Sequence, residues 1–162
     1  PYDNDGLDYT FLCHPILQEM GREQLKILKQ LNDNRIENMR YFRDLLKDIK
    51  GIKLQKVEDN SSLPAYMFSF VNEMPISIEK LIQLFKQVGI PIFRYNPTPL
   101  SNLPTGRFKN YVPTDCPNAN HLSQNEICIT SYKWYTKDKK YLDQYADALA
   151  YCYDFMEKRF NV

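Results

Sequence analysis

Cys116 and His121 stand five residues apart in the run Asp-Cys-Pro-Asn-Ala-Asn-His, and Cys128 follows in a short apolar stretch. A thiol beside an imidazole is the pairing that makes a cysteine nucleophilic, because the imidazole takes the thiol proton. Cysteine with histidine is also a zinc donor set. The chain holds four cysteines, Cys13, Cys116, Cys128 and Cys152, and two histidines, His14 and His121. No two cysteines have the C-x-x-C spacing, so neither a zinc ribbon nor a redox dithiol is indicated. An architectural reading fits better. Cys116 precedes a proline that starts a helical turn, Ser123-x-x-Glu126 offers a capping box for at most one turn, and a strand follows. Four free thiols and no bound metal are expected, and with them a reducing, cytoplasmic setting.

Three other groups have chemical potential. His14 could act as an acid or base, since imidazole titrates near neutrality, but its place just before Pro15 favours a helix-capping role. Arg94 and Tyr95 close an apolar stretch and lead into a proline-rich one, where an arginine can hold a carboxylate or phosphate through two parallel hydrogen bonds. The run from Tyr132 to Tyr141 interleaves aromatics with lysines, as a surface for single-stranded nucleic acid does. Against that, Thr136 is a candidate helix cap, Trp134 and Tyr135 are expected to pack on a sheet, and the formal net charge is only +1. Nucleic acid is therefore not expected as a partner. Nor is a membrane, because no run of about 18 apolar residues exists.

The elements that must position these groups follow from periodicity. The 162 residues, 43% of them hydrophobic and 25% charged, suit one soluble domain. Residues 1–13 show no helical period and read as an extended lead-in. Pro15 opens a helix carrying Ile16, Met20, Leu25, Leu28 and Leu31, then Ile36, Met39, Phe42, Leu45 and Ile49, with Gly51 at its close. One long helix, bent near Asn32–Asn34, is expected, with the core beginning at Ile16. Strands are expected at 63–72, 90–95 and 127–130, a helix at 77–89 capped by Ser77, and a last helix from Thr136 with the stripe Leu142, Tyr145, Leu149, Cys152, Met156. Residues 96–114 form a long proline-rich loop. The fold class is α/β of the α+β type: a small mixed or antiparallel sheet covered by helices, with a long N-terminal helix.

Two stretches carry a family resemblance. "HPILQEMGREQLKILKQLNDNRIENMRYFRDLLKDIKGI", with Glu23–Leu25 as its Glu-Gln-Leu and Asn34, Arg35 and Asn38 close to an N-x-x-R-x-x-N pattern, resembles the segment after the cofactor domain of DegT-type aminotransferases. The Cys-Pro of Cys116, then Leu-Ser and an acidic residue before a short apolar strand, is similar to that family's C-terminal signature. "SLPAYMFSF" and "VGIPIFRYNPTPL" fall in matching order between them.

The resemblance implies a fold-type I pyridoxal-phosphate enzyme that moves an amino group from an amino acid, such as glutamate, to a nucleotide-linked keto-sugar. A pyridoxal-phosphate sugar dehydratase, or a non-catalytic homologue serving in binding or regulation, are the alternatives. On this view residues 1–13 lead in from an upstream cofactor domain and residues 14–162 are the C-terminal small domain of a homodimeric enzyme. The Schiff-base lysine lies upstream, so the chain alone is expected to bind no cofactor and to be inactive. Thr10 stands where the family reaches the cofactor phosphate, although Leu12 replaces the usual arginine, and Arg94 and Tyr95 stand near the substrate entrance. The apolar lead-in residues Tyr2, Leu7, Tyr9, Phe11 and Leu12 are expected to drive self-association of the isolated chain.

Overall fold

The computed structural model describes residues 14–58, 66–95, 98–99, 115–130 and 134–160. Among the described residues four helices and four strands follow one another: α1 (Pro15–Leu46), β1 (Ile52–Leu54), β2 (Phe68–Asn72), α2 (Ile78–Gln87), β3 (Ile92–Phe93), α3 (Pro117–Asn125), β4 (Glu126–Ile129) and α4 (Lys140–Phe160). The strands form one sheet in the order β1-β2-β4-β3, and every neighbouring pair is antiparallel. This is the α+β architecture expected from the sequence, with the sheet wholly antiparallel.

Strand side chains alternate between the two faces. The register pairs Phe70 with Ile127, and pairs both Phe68 and Ile92 with Ile129, so these residues share one face. They are buried, and they join Met39, Phe42 and Leu46 of α1, Leu81 and Phe85 of α2, and Leu142, Leu149, Cys152 and Met156 of α4 in a single core. Phe42 meets Phe68 edge-on at 4.9 Å between ring centroids, and Trp134 lies 5.5 Å from Phe42 and 6.0 Å from Phe68. Such ring pairs add about 0.5–1.5 kcal/mol each beyond the burial of their area.

Local chemistry explains most boundaries. The His14 ring accepts from the Ile16 backbone N–H at 3.2 Å, which makes it the cap of α1. Gly51 turns the chain from α1 into β1 with φ +90°, where a side chain would be strained, and an added Cβ would meet Met74 Cγ at 2.7 Å. Its carbonyl accepts from Glu73 N at 2.8 Å.

Several expectations are corrected. The core begins at Met39, not Ile16: residues 14–30 of α1 are exposed, Ile16 at 65% and Met20 at 59%. Helical periodicity reports which residues share a face but not whether the chain itself covers that face. α1 itself is the one long helix expected, continuous from Pro15 to Leu46. β1 was not anticipated, because three residues are too few to show alternation. α3 has nine residues, about two and a half turns, rather than one turn, and it passes directly into β4. Ser123 lies inside it and donates from Oγ to the Asn120 carbonyl, so it caps nothing. α4 starts at Lys140, not Thr136; Asp138 accepts from the Lys140 N–H at 3.0 Å. β3 spans two residues of the six expected.

Asn34 and Asn38 hold the approach to α4. Asn38, 2% exposed, donates from Nδ2 to the carbonyls of Trp134 at 2.6 Å and Thr136 at 2.7 Å, while Asn34 donates to that of Tyr135 at 3.0 Å. A buried carbonyl that loses its donor costs about 1–3 kcal/mol. Asn38→Ala should therefore lower unfolding stability by about 2–4 kcal/mol with little change in the slope against urea. Asn34→Ala, whose bond is exposed, should cost less than half as much in the same titration.

Candidate functional site

The two residues that the sequence singled out for binding lie where β3 ends, beside the corner at which α3 turns into β4. Arg94 does not stand free there. It donates from one terminal nitrogen to Glu79 Oε1 at 2.9 Å and from the other to the Ser123 carbonyl at 2.5 Å. One side chain thus ties β3 to the first turn of α2 and the last turn of α3. Its Nε is buried with no partner among the described residues. The Ser77 hydroxyl, Glu79's own backbone N–H and the Arg94 charge together hold the Glu79 carboxyl below its ordinary range. Tyr95 is 56% exposed and rests edge-on against Phe93, with centroids 6.4 Å apart. Glu79 and the Ser123 carbonyl are partners that sequence could not supply, since neither is near Arg94 along the chain.

Cys116 and His121 are not arranged as a nucleophile and its base. Cys116 stands just before α3 with no side-chain bond to its first turn, and His121 lies within the helix. His121 is exposed, and its ring lies 3.4 Å from the Asn125 amide. Cys128 and Cys152 are buried, and burial pushes both thiols up to about 11, where they are neutral and unreactive at physiological pH. Cys116, Cys128 and Cys152 are free thiols; Cys13 lies outside the described residues. Among the described residues no three metal-ligating side chains gather, and no helix is long and apolar enough to cross a membrane. Trp134 is buried as expected, while Tyr135 remains 44% exposed. Thr10 and most of the 96–114 loop lie outside the described residues.

Two concave surfaces lie among the described residues. A polar cleft of about 290 Å³ is lined by Asn34, Glu37, Asn38, Thr136, Lys137 and Lys139. A shallower groove of about 400 Å³ lies on the sheet face turned away from the core, over Lys53, Ser69, Val71 and Glu126, with Leu122 of α3 at its side. Three of their lysines are held in ion pairs: Lys139 with Glu37 at 2.6 Å, Lys53 with Glu73 at 3.1 Å and Lys56 with Glu58 at 3.0 Å.

A four-stranded antiparallel sheet under a long helix, with two more helices on the same face, is a fold shared with larger pyridoxal-phosphate enzymes. The dehydratase "E coli GDP-4-keto-6-deoxy-D-mannose-3-dehydratase with bound hydrated PLP" superposes with a TM-score of 0.68 at 22% identity, covering 80% of this chain and 33% of its own. 3-Amino-5-hydroxybenzoic acid (AHBA) synthase gives 0.66 at 20% identity, with 83% and 37% covered. A DegT DnrJ EryC1 StrS aminotransferase from Brucella abortus gives 0.64 at 19% identity, with 78% and 32% covered. The chain spans about a third of the length of these proteins. No curated protein sequence matches it. The chain belongs to the DegT/DnrJ/EryC1/StrS aminotransferase family, which matches residues 14–142.

The raised thiols carry a pH signature. Cys128 and Cys152 ionise near their ordinary value of 9 when unfolded but near 11 when folded. Between those values the folded state binds more protons, so stability falls as pH rises from about 9 to 11, by on the order of 1–3 kcal/mol per thiol. Urea titrations at intervals from pH 8 to 11 check this. Cys152→Ser, which removes one of the two thiols, should flatten the decline.

Proposed function

We propose that residues 14–162 are the C-terminal small domain of a pyridoxal-phosphate aminotransferase that passes an amino group from an amino acid, such as glutamate, to a nucleotide-linked keto-sugar. The observation that carries this reading is the family match over residues 14–142. Residues 1–13 would be the lead-in from an upstream domain bearing the Schiff-base lysine, and the intact enzyme a cytoplasmic homodimer. The upstream domain would supply the cofactor and its electron-sink chemistry. This domain would close the substrate side. Tyr95 would present its phenol there, with Arg94 beside it holding the corner in place, and Thr10 would reach the cofactor phosphate.

A dehydratase reading is favoured by one observation, that a solved structure with this fold is a keto-sugar dehydratase. The residue at the Schiff-base position upstream separates the two, lysine for transfer and histidine for dehydration.

The experiment compares the 162-residue chain with a longer polypeptide that carries it. After dialysis against pyridoxal phosphate, the longer protein should retain one equivalent by absorbance and form an amino-sugar nucleotide from glutamate and the keto-sugar. The shorter chain should retain none. Loss of a sugar hydroxyl without gain of nitrogen would favour the dehydratase, and a longer protein that retains no cofactor would leave the non-catalytic homologue. In an active enzyme, Tyr95→Phe should raise KM about tenfold, the worth of one hydrogen bond, with a smaller effect on kcat.

A further inference from the structure

The cap of α1 is an imidazole. His14 Nδ1 accepts from the Ile16 backbone N–H at 3.2 Å, which requires a neutral ring with its proton on Nε2. Pro15 follows at the first helical position and has no N–H to be capped. The first turn holds no acidic side chain, so no carboxylate there offsets the partial positive charge of the helix end. An imidazolium has two N–H donors and no acceptor. A proton on His14 would therefore set a donor against the Ile16 N–H and a positive charge at the positive end of the dipole. Both effects push the ring off the turn.

Residues 14–30 are all exposed, so unwinding at this end uncovers no core. The stretch extends a helix already nucleated by its packed half, and each residue gained or lost there is close to balanced in free energy. The position of the helix end is then set by the cap, and losing the cap moves that end inward. Further along, Arg22 with Glu19 and Lys29 with Asp33 support the helix. Carboxylates keep their charge to about two pH units below the range in which imidazoles titrate, so these pairs outlast the cap as pH falls. No other described element buries this end, and the charged groups nearest along the chain are that same Glu19 and Arg22. We propose that His14 is a pH-sensitive latch on α1: its neutral ring holds the first turns in helix, and a proton on the ring releases them. The latch is closed above the imidazole range and opens as pH falls through it.

Backbone α-carbon chemical shifts of the 162-residue chain, followed from about pH 8 to about pH 5, test this without cofactor or substrate, so the outcome is independent of the enzymatic reading. In the wild type the helical displacement at residues 16–20 should fall by about half or more, with the same midpoint as the His14 ring resonances, while residues 39–46 stay helical. His14→Asn, a capping side chain that does not titrate, should keep residues 16–20 helical across the range. His14→Ala should show at the high end of the range what the wild type shows at the low end. Residues 16–20 that stay helical in the wild type at low pH overturn the proposal. So does a His14→Ala chain as helical as the wild type at high pH, or a His14→Asn chain that unwinds with the wild type. A midpoint that follows the His121 ring, or a loss that spreads to residues 39–46, overturns it as well, the first marking another titration and the second acid unfolding of the domain.

Discussion

Everything described depends on the seating of Phe42 between Phe68 and Trp134. Phe42 is fully buried, and it brings together α1, the central strand β2 and the segment that introduces α4. Burying a ring of this size contributes about 1.5–3 kcal/mol, but its larger consequence is positional. It sets where α1 crosses the sheet, and hence which of its residues fall beyond the sheet edge. The carbonyls of residues 134–136 would be left without donors by such packing. Asn34 and Asn38, about two turns and one turn before Phe42, supply them. The apolar contact and the polar brace therefore specify the same register of α1 against α4, and neither would serve at another.

The same logic governs the corner where binding was expected. β3 is only two residues long and is an edge strand, paired to β4 alone. So short an edge has little ladder to hold it. Arg94 compensates with charge-assisted bonds to two neighbouring helices, the kind that are roughly twice as strong as neutral ones. It uses both terminal nitrogens in doing so. The chemistry that made Arg94 an attractive anion ligand, a planar fork of donors, is the chemistry that makes it a good tie between elements. Tyr95, the next residue, points its exposure outward from a position that this tie fixes.

How much of this could be read from the sequence varied with the range of the interaction. The elements with strong periodicity, α1, α2, α4 and the stripe Leu142, Leu149, Cys152, Met156, were legible because local spacing alone decides which residues share a face. The cap at His14 was legible for the same reason, since its partner is two residues away. β1 and the full length of α3 were not. β1 exists because β2 offers it a partner from Lys53 opposite Val71, and α3 carries a weak apolar pattern, with only Ser123 buried. Thr136 looked like a cap because hydroxyls usually are; Asp138, closer to the first turn of α4, takes that place. The partners of Arg94 and Asn38 lie 15 to 98 residues away. An asparagine on the apolar stripe of a helix was nonetheless a visible signal that a carbonyl needed a donor there.

The two halves of α1 carry this argument furthest. Their sequence pattern is the same, an apolar arc of similar width facing the same way, yet one half is the core of the domain and the other faces solvent. Hydrophobic burial is non-directional and scales with area removed from water, so the pattern records that a cover is needed and is silent on what provides it. Within the C-terminal half the provider is identified by groups that do have direction: the amides of Asn34 and Asn38, the Tyr41 hydroxyl on Asp143 at 2.5 Å and the Lys139 ammonium on Glu37. Each joins a donor to an acceptor between α1 and the segment leading into α4 or α4 itself. In the N-terminal half the charged groups pair along their own helix, three or four residues apart, and so select no external partner. What remains to choose the cover of that half is shape alone, the positions of Ile16, Leu17, Met20, Ile27 and Leu28 along the helix.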